Sequence, residues 1–314
     1  MKPSNYRQWK VLHYWWDNIE DFSNRWKGLS GIHSVIFPGS PRPIDIYVNE
    51  HVHNAEQKAI TTFFSGAISS RGNKQGPFFS GIKLSSQNNL PMISIADSSL
   101  DDDPELSLAW YTGGAHDNFE ANLTTMLNAI ADSLKTELIL VGGSGGGYAS
   151  LNYAKRLAKP ATVVVWNPQT DIYSYYERFV KAYLKSRFNF AHSTLAQDNW
   201  KQYCRPRTDK LVSTNVLVPE TINSIRRLVY LQNKTDWHLQ KHLSPLWSKI
   251  SKHPIEPGVH AYTDQHIFAV QDFAEGHNPP DSNLIASILL QLSNTDMKAI
   301  DVQLDLAPNS GSQY

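Results

Sequence analysis

Leu138-Ile139-Leu140-Val141-Gly142-Gly143-Ser144-Gly145-Gly146-Gly147-Tyr148 is the stretch on which the reading of this chain turns. An apolar run of strand type stops at five glycines that flank one serine. A helical pattern follows, with Leu151, Ala154, Leu157 and Ala158 on one side. A turn this tight brings backbones together, and glycine permits both the approach and a positive φ. Lys155, Arg156 and Lys159 complement the dipole at the helix C-terminus before Pro160 stops it.

Working outward, strand-type runs are expected at Ser34–Phe37, Ile44–Val48, Ala59–Phe64, Met92–Ala96, Glu137–Val141, Ala161–Trp166, Leu228–Leu231 and His266–Val270. Asn118 to Leu134 reads as a helix with Leu123, Met126, Leu127, Ile130 and Leu134 on one stripe. Leu284 to Leu292 reads as a last one. From the third run onward strands and helices alternate, which predicts an α/β fold with a mostly parallel sheet. The run Val163-Val164-Val165 is apolar without alternation, as in a strand covered on both faces.

Four regions are expected around this pattern. Residues 1–31 form an aromatic-rich N-terminal helical extension, with Trp15, Ile19, Phe22 and Trp26 at near-helical spacing. Residues 32–170 and 227–296 form the core, 171–226 a helical insertion dense in tyrosine and phenylalanine, and 306–314 a mobile tail.

In an open α/β sheet, ligands gather at the carboxyl ends of the strands. The polar residues just past the fifth, seventh and eighth expected strands are Ser144, Asp236 and His277. A serine hydroxyl needs a neighbouring base, histidine has a suitable pKa for that task, and an acid fixes the imidazole tautomer. Gly142-x-Ser144-x-Gly146 at a strand-to-helix turn is the nucleophile-elbow pattern, and the chain order serine, acid, histidine accompanies it. Asp171, after the sixth strand, is the alternative acid. His238, His242, His260 and His266 are the rival histidines.

On these residues the chain resembles the α/β-hydrolase superfamily over about residues 32 to 293. Gly-Gly-Ser-Gly-Gly-Gly-Tyr, with Trp166-Asn167-Pro168-Gln169-Thr170-Asp171 after the next strand, is similar to enzymes of bacterial surface-glycan synthesis and accessory secretion, some of which resemble sugar O-acetyltransferases. The resemblance implies a serine esterase working through an acyl-enzyme on a carbohydrate ester or another small ester. It equally admits transfer to a sugar hydroxyl, or a non-catalytic glycan-binding or assembly role on the same scaffold. It also implies an oxyanion hole from the backbone N–H of Gly145 and of either Gly66 or Ala67.

Other chemistries fit less well. A dinucleotide fingerprint starting at Gly143 or Gly145 would need glycine where Tyr148 or Ser150 stands, and a P-loop would need lysine at Tyr148. Asp101-Asp102-Asp103 lacks the ligand spacing of a calcium loop, so neither a metal nor a cofactor is expected. The 314 residues carry no formal net charge, which argues against nucleic acid or an anionic membrane engaged through bulk charge. One cysteine, Cys204, no secretory pattern at the N-terminus and no apolar span lead to the expectation of a cytoplasmic protein.

Overall fold

A computed structural model of the chain describes residues 4–53 and 58–304. Ten strands form one mixed sheet: β1 (His13–Trp16), β2 (Gly31–Val35), β3 (Ile44–Val48), β4 (Ala59–Phe64), β5 (Met92–Ile95), β6 (Glu137–Gly143), β7 (Thr162–Trp166), β8 (Arg227–Asn233), β9 (Gly258–Thr263) and β10 (His266–Gln271). Their spatial order is β1-β2-β3-β5-β4-β6-β7-β8-β10-β9. From β5 through β10 every neighbouring pair is parallel, whereas β3 runs antiparallel to both neighbours and β9 antiparallel to β10.

The unbroken apolar runs serve two cores at once. Leu138, Leu140, Val163, Val165, Leu228, Tyr230, Phe268 and Val270 point to one face. Their intervening neighbours Ile139, Val141, Val164, Val229, Leu231, Ile267 and Ala269 point to the other. The helices Phe119–Leu134 and Ser144–Ala154 cover the first face. The helix Ser282–Ser293 covers the second through Leu284, Ile285, Ile288, Leu289 and Leu292. Each of these side chains contributes about 1.5–3 kcal/mol by leaving water.

Two strands escape the sequence reading. The helix expected around Trp15 is confined to Ile19–Arg25, and His13–Trp16 is instead the edge strand β1. Its period is two: Trp16 is buried and Trp15 is 52% exposed, and tryptophan and tyrosine suit a half-buried pleat. In β9 the apolar Val259 and Ala261 face outward while His260 and Tyr262 face in, so hydrophobic alternation points the wrong way. β2 also starts earlier than expected, at Gly31. His33 and Ser34 are buried there because Trp16 Nε1 donates to His33 Nδ1 and Ser34 Oγ donates to Asp45.

Between β7 and β8 lie the helices Glu177–Phe188, His192–Leu195, Trp200–Thr208 and Pro219–Asn223. Most of the aromatics here are packing residues: Tyr173, Tyr183 and Trp200 are buried. Some basic residues of this segment are ion-paired, Arg187 with Asp102 and Asp117, Arg205 with Asp171, Lys181 with Glu177. No helix among the described residues is long and apolar enough to cross a membrane. The tail expected to be mobile from 306 lies outside the described residues.

Candidate active site

After β4 the chain crosses to β5 on one side, and after β6 to β7 on the other. The carboxyl ends of β4 and β6 therefore flank the switch point where ligands collect in such sheets. Ser144 sits there, directly after β6, with φ of 53°. A left-handed serine costs of order 1–3 kcal/mol and persists only where its surroundings hold it. They do. A Cβ at Gly146 would collide with the Phe64 carbonyl at the end of β4, and one at Gly142 would collide with the Gly146 carbonyl.

His277 arrives from the loop after β10, and Asp236 from the turn after β8. His277 Nε2 lies 2.9 Å from Ser144 Oγ, and its Nδ1 lies 2.6 Å from Asp236 Oδ2. The three residues far apart in sequence thus form one hydrogen-bonded line. Burial opposes ionisation of Asp236, but the His277 hydrogen bond, the nearby His238 and the His238 backbone N–H together hold its pKa below the ordinary carboxylate value. Asp236 is buried, while the His277 side chain is about one-third exposed. The alternative acid, Asp171, faces elsewhere: it caps the Tyr173 N–H and pairs with Arg205.

The rival histidines hydrogen-bond to groups other than Ser144, whose imidazole partner is His277. His266 contacts the Ile225 carbonyl and His260 the Glu256 carbonyl. His238 and His242 are buried beside the site; burial first, and then the neighbouring imidazoles, lower their pKa values to about 4 and about 2. Asp236, His238 and His277 bring candidate metal-ligand atoms within 4.8 Å of one another. Yet Asp236 is engaged by His277, and His238 Nδ1 contacts the Asn167 carbonyl at 2.8 Å.

Gly145 follows Ser144 in the first turn of the helix Ser144–Ala154, where backbone N–H groups have no partner within the helix. Across from it, Gly66 lies close to Gly143 and Ser144. Ser65 N–H is already taken by the Tyr111 hydroxyl at 2.7 Å, which leaves Gly66 and Ala67 as the donors next in line.

Two residues at the site, Gln169 and Asn233, were given no role from sequence. Gln169, fully buried after β7, donates its backbone N–H to the Ser144 carbonyl at 3.1 Å and its side-chain Nε2 to Ser144 Oγ at 3.0 Å. Asn233, ending β8, donates from Nδ2 to the carbonyls of Gly276 and Asn278 and so clamps the loop on either side of His277. Both lie at carboxyl ends of strands, so the same positional rule could have found them. Tyr175 lines the same cleft as Ser144, and its pKa is raised, first by burial. Nothing local in the sequence separates it from the packing tyrosines around it.

These groups open onto a cleft of about 880 Å³. Ser144, His277, Gly66, Ala67 and Tyr175 line it at one end, and Phe79, Leu84 and Ile285 add apolar wall. Lys83 is the one Lys, Arg, Asp or Glu among the described residues lining it.

No protein-family model and no curated protein matches the sequence. Solved structures do match in fold. A capsule O-acetyltransferase of Neisseria meningitidis serogroup A is similar with a TM-score of 0.50 and 14% identity, over 84% of this chain and 95% of that one. An S-formylglutathione hydrolase from Agrobacterium tumefaciens gives a TM-score of 0.47 and 12% identity over 85% of this chain and 95% of that one. A carboxyl esterase from the fungus Tuber melanosporum gives 0.47 and 12% over 80% and 78%. The fold of this chain is of the α/β-hydrolase type.

Proposed function

We propose that the protein is a serine-dependent acyl hydrolase acting on a carbohydrate ester or another small ester through an acyl-enzyme on Ser144. The observation that carries this reading is the line Ser144 Oγ–His277 Nε2 at 2.9 Å and His277 Nδ1–Asp236 Oδ2 at 2.6 Å. His277 takes the Ser144 proton as Oγ bonds the acyl carbon, then returns it to the departing alkoxide. Asp236 keeps Nδ1 protonated, so that Nε2 presents the lone pair, and stabilises the imidazolium. The N–H groups of Gly145 and of Gly66 or Ala67 meet the oxyanion; each such donor is worth about a hundredfold or more in rate. The helix that starts at Ser144 adds a positive N-terminal field.

The second half-reaction needs a hydroxyl to accept the acyl group. Water gives an esterase. A sugar hydroxyl gives an O-acetyltransferase, a reading supported by a cleft of about 880 Å³ with aromatic rings in its wall and by the fold shared with the capsule O-acetyltransferase.

A fluorophosphonate probe is expected to label wild-type protein at Ser144, located by peptide mass spectrometry, and to leave Ser144→Ala unlabelled. With p-nitrophenyl acetate, an acetyl adduct on Ser144 and its partition between water and an added methyl glycoside separate the two acceptors. Wild-type protein that is folded yet neither labelled nor acylated would overturn the proposal.

A further inference from the structure

We infer that Gln169 is a further catalytic residue, which donates a hydrogen bond to Ser144 Oγ as charge develops there, and that Trp110 is the residue that sets its orientation. The inference rests on the reading of Ser144 as nucleophile.

The orientation of the Gln169 amide follows from its partners. Its Oε1 accepts from Trp110 Nε1, and an indole N–H can only donate. The amide oxygen must therefore face Trp110, and Nε2 must face Ser144 Oγ, 3.0 Å away. A serine hydroxyl has one proton and two lone pairs. With one lone pair accepting from Gln169, the proton of Ser144 is directed to His277 Nε2, 2.9 Å away.

The residue that orients Gln169 stands on unusual backbone. Trp110 and Tyr111 are consecutive left-handed residues, with φ of 56° and 58°. Two such residues in a row are strained unless their side chains are tied down. Here the Trp110 indole holds Gln169 on one side of the nucleophile, and the Tyr111 hydroxyl holds Ser65 on the other. Asp97 accepts the Tyr111 N–H and fixes the pair from beneath. Gln169 and Trp110 are both fully buried, so substrate cannot displace either one. Tyr175, by contrast, lines the cleft.

The chemistry follows from that fixed donor. During acylation the Ser144 proton moves to His277 while the Oγ–carbon bond forms, and the proton passes on to the leaving alkoxide. During deacylation the acceptor hydroxyl gives its proton to His277 and its oxygen bonds the acyl carbon. The carbon–Oγ bond then breaks, its electron pair goes to Oγ, and His277 returns the proton there. In both halves Oγ passes through a state of growing negative charge, and a stationary N–H donor favours it.

The test measures the rate of fluorophosphonate labelling and steady-state turnover of p-nitrophenyl acetate, each across pH. Gln169→Leu is expected to slow labelling and lower kcat by about tenfold to a hundredfold, with KM changed by less than about threefold. Gln169→Glu keeps the acceptor for Trp110 but places a carboxylate against Ser144, so it should be slower still, with the acid limb of its pH profile moved to higher pH. Trp110→Phe frees the amide to rotate and should give an intermediate loss. Should Gln169→Leu fail to fold by near-UV circular dichroism, the other two variants decide. Variants that label and turn over at the wild-type rate with unchanged pH profiles overturn this inference alone; failure of wild-type protein to label overturns the reading beneath it.

Discussion

His238 lies against His277, with ring centroids 4.1 Å apart, and its Nδ1 is bound to the Asn167 carbonyl at 2.8 Å. The neighbour of the exposed imidazole is thus a buried one held neutral. The histidine that faces the serine is therefore packed against a neutral ring rather than a second cation.

This arrangement predicts how stability varies with pH. His238 titrates at about 4 in the fold against 6.5 ordinarily, chiefly because of burial. Between those values the unfolded chain binds more protons, so this group removes stability as pH falls through the window; below it the effect is flat. Asp45 is the opposite case, raised to about 7 from 3.8 by burial, so its contribution diminishes as pH rises from 3.8 to about 7. His238→Asn keeps a donor for Asn167 and should make the protein relatively more stable in acid. Asp45→Asn should tilt the profile the other way. Each slope change is at most about 1.4 kcal/mol per pH unit. Urea unfolding at several pH values reads both, and tilts of the same sign for the two variants would refute the assignment.

The choice of acid is separable by paired substitutions. Asp236→Asn should lower kcat for an activated ester by about 10³–10⁴-fold, because Nδ1 of His277 loses its acceptor. Asp171→Asn should leave kcat within about twofold while lowering Tm, since its carboxylate caps Tyr173 and pairs with Arg205. The reverse ranking would assign the role to Asp171.

Gly146→Ala should be severe. A methyl group there meets the backbone carbonyl of Phe64, which no rotamer can relieve. Overpacking of this kind costs about 1–3 kcal/mol, and here the relaxation would separate β4 from the elbow. Thermal unfolding together with fluorophosphonate labelling checks it: wild-type Tm and labelling would show that the close approach is dispensable.

Tyr111→Phe removes the acceptor for the Ser65 N–H and the donor to the Ile95 carbonyl. An unpaired buried N–H costs about 1–3 kcal/mol, and the strand end carrying Gly66 and Ala67 loses its anchor. The expected result is a fall in kcat of about tenfold or more with little change in KM. Unchanged kcat would show that the loop holds its position without the phenol.

Much of this protein could be read from sequence because its informative signals are local. A glycine block around Ser144 reports a close approach of backbones, and apolar runs such as Thr162–Trp166 report a strand buried on both faces. The position of a polar residue just past a strand then offers Ser144, His277 and two candidate acids, Asp236 and Asp171, since parallel strands end at one edge. The edge strands were not legible. In β1 the aromatics repeat at a spacing that fits a helix equally well, and in β9 the apolar side chains face outward.

What only the tertiary structure decided is which side chains meet. Asp171 and Asp236 are equivalent as residues after strands, and they are separated by where β7 and β8 deliver them: one against Arg205, the other against His277. The Trp110–Gln169–Ser144 chain joins residues from three separate segments through donors and acceptors whose roles are fixed only by contact. Sequence sets which groups are available at the sheet's carboxyl edge. Hydrogen-bond geometry, sensitive to tenths of an ångström, is set by the packing of the whole sheet, and no local pattern encodes it.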